Sequence, residues 1–239
     1  MKKISLIFSI PALCILLLSS CSEVNCISGS GNQVAENRSI DPFTKIEASG
    51  SMKLVLIQDS LSSLRIVADD NIQKEIQTRV KGNTLIIDME TGFCDSGPVI
   101  IYLSSKNYEA IEASGAVEIE SDGKLNVQDF VLGITGSSKV KLDLNAASLK
   151  TSSSGSSEII LKGQAGTHDL DLTGSSEVEA VDLIIGKYKI RSSGASHSRI
   201  NVLNELDINS SGASKVEYRG KPDRITNNES GASSLKAIN

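Results

Sequence analysis

The chain of 239 residues contains no tryptophan, and all aromatic residues together make up only 3% of it. Sugar clefts and nucleic-acid platforms commonly stack their ligands on aromatic side chains, so both are poorly provided for. The net charge is −5, which leaves no basic footprint for nucleic acid. Histidine occurs twice and cysteine four times, and with two of the cysteines in the N-terminal leader region and no histidine near the other two, a zinc site is poorly provided for. Helical periodicity is also missing from the second half. One long apolar run exists, at the very start.

What is abundant is a short phrase that keeps returning. It reads Ser-Gly-Ala at 114–116, Thr-Gly-Ser-Ser at 135–138, Ser-Gly-Ser-Ser at 154–157 and Thr-Gly-Ser-Ser at 173–176. Ser-Gly-Ala-Ser then follows at 193–196, 211–214 and 230–233. The glycines from Gly115 to Gly231 are spaced by 21, 19, 19, 20, 18 and 19 residues, the period of a solenoid. An earlier Ala-Ser-Gly-Ser at 48–51 puts Gly50 roughly three periods before Gly115. After each glycine, apolar residues fall at the fourth and sixth positions, as in Val140 and Leu142 or Ile159 and Leu161. Before it lie Leu132 and Ile134, or Leu170 and Leu172. This is strand alternation, so each repeat reads strand, corner, strand, loop. A coil of about 19 residues suits one rung of a parallel β-helix and is too short for a propeller blade. The asparagine and leucine spacing of leucine-rich repeats is missing. Glycine supplies the backbone freedom of a sharp corner, and neighbouring hydroxyls hydrogen-bond back to it.

Stacked rungs bring residues at equal offsets within about 4.8 Å of each other. Three residues after the glycine the column is Lys139, Glu158, Glu177, His197, Lys215, Ser234. Five after, it is Lys141, Ile160, Glu179, Arg199, Glu217, Lys236. Five before, it is Val131, Lys150, Asp169, Lys189, Asp207, Thr226; three before, Asp171 is followed by Arg191. Opposite signs adjoin far more often than like signs, with Glu158–Glu177 the one plain violation. Each exposed pair contributes only about 0–1 kcal/mol, so the ladders specify register more than stability.

The N-terminus has Lys2 and Lys3, the apolar run Ile4–Leu18, and then Leu18-Ser19-Ser20-Cys21. The run is too short to span a membrane as a helix and suits a secretory signal. Leu-Ser-Ser-Cys resembles the lipobox of bacterial lipoproteins, which implies acylation (palmitate or similar chains) on Cys21 and removal of residues 1–20. Two or three acyl chains make a stable anchor. Ser22 lacks the character of an inner-membrane retention signal, so the expected location is the outer membrane, in either leaflet. Cys14 leaves with the signal and Cys21 carries lipid. Cys26 and Cys94 remain, and in an oxidising compartment a disulfide between them is expected, with free thiols or a metal pair as alternatives. Such a bridge closes a loop of about 69 residues and is worth about 2–4 kcal/mol.

Residues 21–26 read as a lipidated spacer, 27–108 as an N-terminal β and capping region, and 109–239 as regular coils. Lys53–Gln58, Ser63–Ala68, Thr84–Met89 and Val99–Leu103 read as strands. Asp70-Asn71 caps a predicted helix running through Val80, with Ile72, Ile76 and Val80 on one face. Lys81-Gly82-Asn83 is a turn signal. The Gly-x-Gly at 29–31 does not read as a phosphate loop, since the residues before it give no strand signal and no helix is expected after it, and no cofactor motif is present.

Several segments together resemble the putative auto-transporter adhesin, head GIN domain family. They are Gly-Ser-Gly-Asn at 29–32, Phe-Thr-Lys-Ile-Glu-Ala-Ser-Gly-Ser at 43–51, Ala-Asp-Asp-Asn at 68–71, Gly-Asn-Thr-Leu-Ile-Ile at 82–87 and the Ser-Gly rungs. The resemblance covers about 27–237 and implies a right-handed parallel β-helix, secreted or lipid-anchored, with no catalytic motif to carry over.

Some parallel β-helices cleave polysaccharides, and such chemistry needs converging carboxylates in an open cleft. His168, Asp169 and Asp171 form the most suggestive cluster. Their expected rung neighbours, Lys150, Lys189 and Arg191, would instead hold the carboxylates ionised and occupied. His197 reads as a surface contact. The hydroxyls Ser154, Ser156, Ser157, Thr173, Ser175, Ser176, Ser193, Ser196, Ser211 and Ser214 read either as corner chemistry or as an edge for glycans. A flat threonine face of the ice-binding type is absent. The expectation is an all-β, non-catalytic surface lipoprotein displaying a rigid face to a protein or glycan, with a carbohydrate-active enzyme as the alternative.

Overall fold

A computed structural model describes residues 26–89 and 91–238. The expected signal peptide, Cys21 and most of the spacer lie outside the described residues. In chain order, β1 (Cys26–Ser28) and β2 (Gln33–Arg38) lead to β3 (Lys45–Gln58) and β4 (Ser63–Asp69). One turn of helix, α1 (Asp70–Gln73), precedes β5 (Ile76–Lys81), β6 (Thr84–Met89), β7 (Gly92–Cys94) and β8 (Ile100–Ser105). Then come β9 (Ala110–Asn126), β10 (Asp129–Gly136), β11 (Lys139–Gly155), β12 (Glu158–Gly174), β13 (Glu177–Gly194) and β14 (His197–Gly212). Last are β15 (Lys215–Arg219), β16 (Arg224–Glu229) and β17 (Ser234–Ala237). They build a parallel β-helix of about seven turns with coils of about 19 residues.

The glycine column stacks as the repeat requires. Gly115 pairs with Gly136, Gly136 with Gly155, Gly155 with Gly174, Gly174 with Gly194 and Gly194 with Gly212. At Gly174 two demands coincide. Its φ is +108°, and a Cβ there would stand 2.5 Å from the Gly155 carbonyl oxygen. That oxygen already accepts the Ser175 N–H at 2.8 Å, so the rungs cannot separate to admit a side chain. Inward positions on either side of the corner fill the interior. Leu132, Leu170, Ile190 and Ile208 stack in one column, and Val140, Ile159, Val178 and Val216 in another, all buried. Each such side chain contributes about 1.5–3 kcal/mol by leaving water, so the columns carry the stability of the stack. The unequal glycine spacings are absorbed at the opposite corner, where register slips between Ile160 and Lys162 and between Ala180 and Ile184.

Two expectations for the first third need correction. Gly50 does not stand three coils away from Gly115. It pairs with it directly, and β3 runs alongside β9 from Lys45↔Ala110 to Leu56↔Ser121. The intervening segment is an insertion that closes the end of the solenoid. β6 and β8 lie beside the two halves of β3 as an outermost parallel rung, and β5, β4 and β2 cover it antiparallel. The predicted helix also stops after one turn. Arg38 donates to the carbonyls of Gln73 and Ile76, at 2.9 and 2.5 Å, and a continuing helix would need both oxygens for its own amides. Ile76–Lys81 therefore turns back through Gly82-Asn83 and pairs with β6 as a hairpin. The spacing of Ile76 and Val80 serves a strand as well as a helix, and the turn decides between them.

Candidate functional site

Strand parity separates the cluster at 168–171. Leu170 and Leu172 point inward, so His168 does too, and Asp169 and Asp171 point out. His168 is 1% exposed, its Nε2 lies 2.9 Å from Thr151 Oγ1, and its ring packs on Tyr188 with centroids 4.7 Å apart. Burial pushes its pKa down to about 3, so it is neutral and unable to serve a surface site as an acid. Among the described residues, its Nδ1 and the Tyr188 hydroxyl have no hydrogen-bond partner.

Asp169 and Asp171 both grip Arg191, at 2.9 Å to Nη2 and 3.1 Å to Nε. The register does set Asp169 between Lys150 and Lys189, but its carboxylate turns sideways to the guanidinium. Neither lysine has a carboxylate within ion-pair distance among the described residues. Lys150, Asp169 and Lys189 line a groove of about 490 Å³ that crosses five rungs, and Asp171 and Arg191 lie outside its lining.

A second charge cluster surrounds Glu217 on β15. Glu217 is buried to 8% exposure and meets Lys215 at 2.7 Å, His197 at 3.1 Å and Arg199 at 3.6 Å, while Arg199 also holds Glu179 at 2.6 Å. Hydrogen bonds from Lys215 and then His197 hold its carboxyl below the usual range. The alternation Glu179, Arg199, Glu217 was visible in one column. The crossing contacts from His197 and Lys215 in the adjacent column were not. With Lys215 and Arg199 beside it and the His197 ring hydrogen-bonded to it, this carboxylate is not a free base.

At the capped end, Cys26 and Cys94 form a disulfide with Cα atoms 5.6 Å apart, and β1 pairs with β7. Beside it the 29–32 and 68–71 segments meet. Asp69, fully buried, accepts from Gln33 Nε2 at 2.5 Å, Gly31 N at 3.2 Å and Gly97 N at 3.4 Å. Asp70 accepts from Ser30 Oγ at 2.6 Å and Asn32 Nδ2 at 3.1 Å. Hydrogen bonds from Gln33 and from Ser30 hold the two carboxyls low. Their acceptors are taken by protein donors, which is the chemistry of a structural knot. Among the described residues, no three His, Cys, Asp or Glu side chains gather to hold a metal.

The hydroxyl-rich corner divides in two. Ser157, Ser176, Ser196 and Ser214 face inward and are buried, and Ser176 pairs with Ser153 at 3.0 Å and Ser214 with Ser192 at 2.8 Å. Ser154, Ser156, Thr173, Ser175, Ser193 and Ser211 line the outside.

Residues 42–222 match the model of the putative auto-transporter adhesin, head GIN domain family. The chain belongs to this family. The matched stretch of this head GIN domain runs from just before β3 to just past β15. Similar solved structures include a putative adhesin from Bacteroides fragilis, 22% identical, with a TM-score of 0.82 over 89% of this chain and 100% of that one. Another, described as a putative lipid binding protein from Parabacteroides distasonis, is 20% identical with a TM-score of 0.72 over 89% and 99%. A putative adhesin from Parabacteroides merdae, 18% identical, scores 0.68 over 89% and 99%. At these identities the likeness is one of fold. No curated protein matches the chain.

Proposed function

We propose that this head GIN domain is a non-catalytic adhesin-like display module, anchored through acyl chains on Cys21 to the outer membrane or cell surface. Its rigid outer faces meet a protein or glycan partner. The observation that carries this reading is the consumption of its reactive groups. Asp169 and Asp171 are spent on Arg191, Glu217 is engaged by Lys215, Arg199 and His197, and His168 is sealed in the core. A β-helix enzyme needs converging carboxylates left open to substrate, and these are engaged in holding rungs together. The family's description as an adhesin and its structural relatives agree with display at a surface. The test combines three measurements in cells. Palmitate labelling and membrane fractionation of Cys21→Ala should show loss of the anchor. Cross-linking pull-downs with the wild type should capture an envelope or matrix partner. A polysaccharide panel should yield neither reducing ends nor unsaturated products; their appearance would establish the enzyme instead.

A further inference from the structure

The groove beside β11–β14 has an arrangement that register alone does not require. Its walls are the positions five and seven residues before each glycine. Its floor is the bend where Leu149, His168, Tyr188 and Leu206 turn inward and leave backbone at the surface. Cations occur on alternate rungs: Lys150, then Lys187 and Lys189, then Arg224. The rungs between carry Asp169, and Glu205 with Asp207. Arg191 withdraws the Asp169 carboxylate, so Lys150 and Lys189 present ammonium groups without a carboxylate partner among the described residues. They stand two rungs apart, about 10 Å.

We infer that this groove binds an acidic polysaccharide carrying one carboxylate per disaccharide, laid along the solenoid axis. The inference rests on the display reading above and assigns it a ligand class and a face. Charge on every second sugar of an extended glycan recurs at an interval close to two rungs, so consecutive carboxylates reach Lys150 and Lys189. The neutral sugars between them meet Ser148, Thr167 and the Asp169 carboxylate as hydrogen-bonding groups. Electrostatic capture of this kind needs no aromatic platform, which agrees with a tryptophan-free chain. A peptide is less well served. The strands beneath Lys150, Asp169, Lys189 and Asp207 are paired on both sides, so there is no free edge for strand addition. The floor side chains are buried, so there is no apolar pocket either. Nucleic acid fits a chain of net charge −5 poorly.

The experiment titrates the full-length protein in detergent with hyaluronan oligosaccharides, polygalacturonate, dextran and polyglutamate at low and high salt. Hyaluronan, with a uronate on alternate sugars, should bind best and release with salt. Lys150→Gln/Lys189→Gln should weaken it about tenfold, as two exposed charge contacts of up to about 1 kcal/mol each imply. Lys139→Gln/Lys141→Gln, on another face, should leave it unchanged at equal thermal stability. Failure of hyaluronan to bind, equal loss in both double variants, or equal binding of polygalacturonate or polyglutamate would overturn the assignment. If the anchor or the envelope partner fails its own tests while hyaluronan binding persists, the display reading falls and the groove stands. If the anchor and an envelope partner are found while hyaluronan fails to bind, the groove falls and the display reading stands.

Discussion

The coils from β9 onward and the end built by β1–β8 solve the same problem in opposite ways. In the coils, each rung is covered by another copy of itself, so the same offsets recur and every inward column is repeated. At the capped end no further rung follows among the described residues, and an irregular insertion closes the sheet with antiparallel strands, one helical turn, a disulfide and the Asp69 knot. The other end is treated differently again. On β16, Asn227 and Glu229 take the inward offsets held by Ile208 and Ser210 one rung earlier, and the whole strand is exposed. Open rungs tolerate water when their inner face becomes polar, as terminal repeats of solenoids do. Regular stacking thus spreads stability over many equivalent contacts, whereas the cap concentrates it in a few unique ones.

The largest effect that separates the two regions should come from the glycine corner. Gly174→Ala sets a Cβ against backbone at a positive φ and should destabilise by about 3–5 kcal/mol in denaturant titration. Gly50→Ala, at the boundary with the cap, also has a positive φ, but its Cβ would meet the Met89 side chain, which can move. It should cost about 1–3 kcal/mol. Equal losses at the two sites would mean that the cap is as unyielding as the stack.

Next comes the disulfide. Cys26→Ser/Cys94→Ser should cost about 2–4 kcal/mol. Hydrogen exchange should locate the loss in residues 26–105 and spare β11–β14. Protection falling evenly through the coils would show that the cap and the stack unfold as one unit.

Much of this contrast was legible in the residues, and the part that was not has physical reasons. The glycine column, the inward alternation and the charge columns follow from a period that repeats, because parallel stacking turns equal offsets into contacts. His168 shares the parity of Leu170, so its burial could have been read from the same alternation that placed the leucines. The insertion was hidden, because adjacency of Gly50 and Gly115 depends on where the 64 residues between them fold and no repeat records that. The end of α1 was hidden too, since it is set by Arg38, a residue 35 positions from Gln73.

Within the coils, His168 makes a pH prediction of intermediate size. Its folded pKa, about 3, lies below its ordinary value near 6.5, so the unfolded chain takes up the proton first. The stability associated with the neutral ring is complete above about pH 6.5 and falls as pH drops toward 3, by at most about 1.4 kcal/mol per pH unit. Asp69, Asp70 and Glu217, whose carboxyls are held low, lose their share only at more acid pH, as pH falls below ordinary carboxylate values. The upper part of that range, from about pH 6.5 to 5, therefore reports the buried ring of His168, and a variant at 168 tests it. His168→Leu/Thr151→Val should flatten that window and add about 1 kcal/mol at neutral pH, since it removes a buried unpaired Nδ1 from between Leu149 and Tyr188. An unchanged pH profile in the double variant would show that the ring is not the group being titrated.

The smallest effect tests whether charge ladders contribute register or stability. Glu158 and Glu177 are register neighbours of like sign, flanked by Lys139 at 2.6 Å from Glu158 and by His197 beside Glu177. Glu177→Lys would continue the alternation of sign that Lys139 and Glu158 begin, with no change in the buried columns. Because all these groups are largely solvated, the gain should be only a few tenths of a kcal/mol and should vanish in roughly 0.5 M salt, where exposed pairs are screened. A gain above about 1 kcal/mol, or one that survives salt, would mean that the outer ladders support the coils alongside the apolar columns. The irregular cap, whose ion pairs at Lys53 and Arg79 do not recur rung after rung, would then depend on unique contacts such as the disulfide and the Asp69 knot.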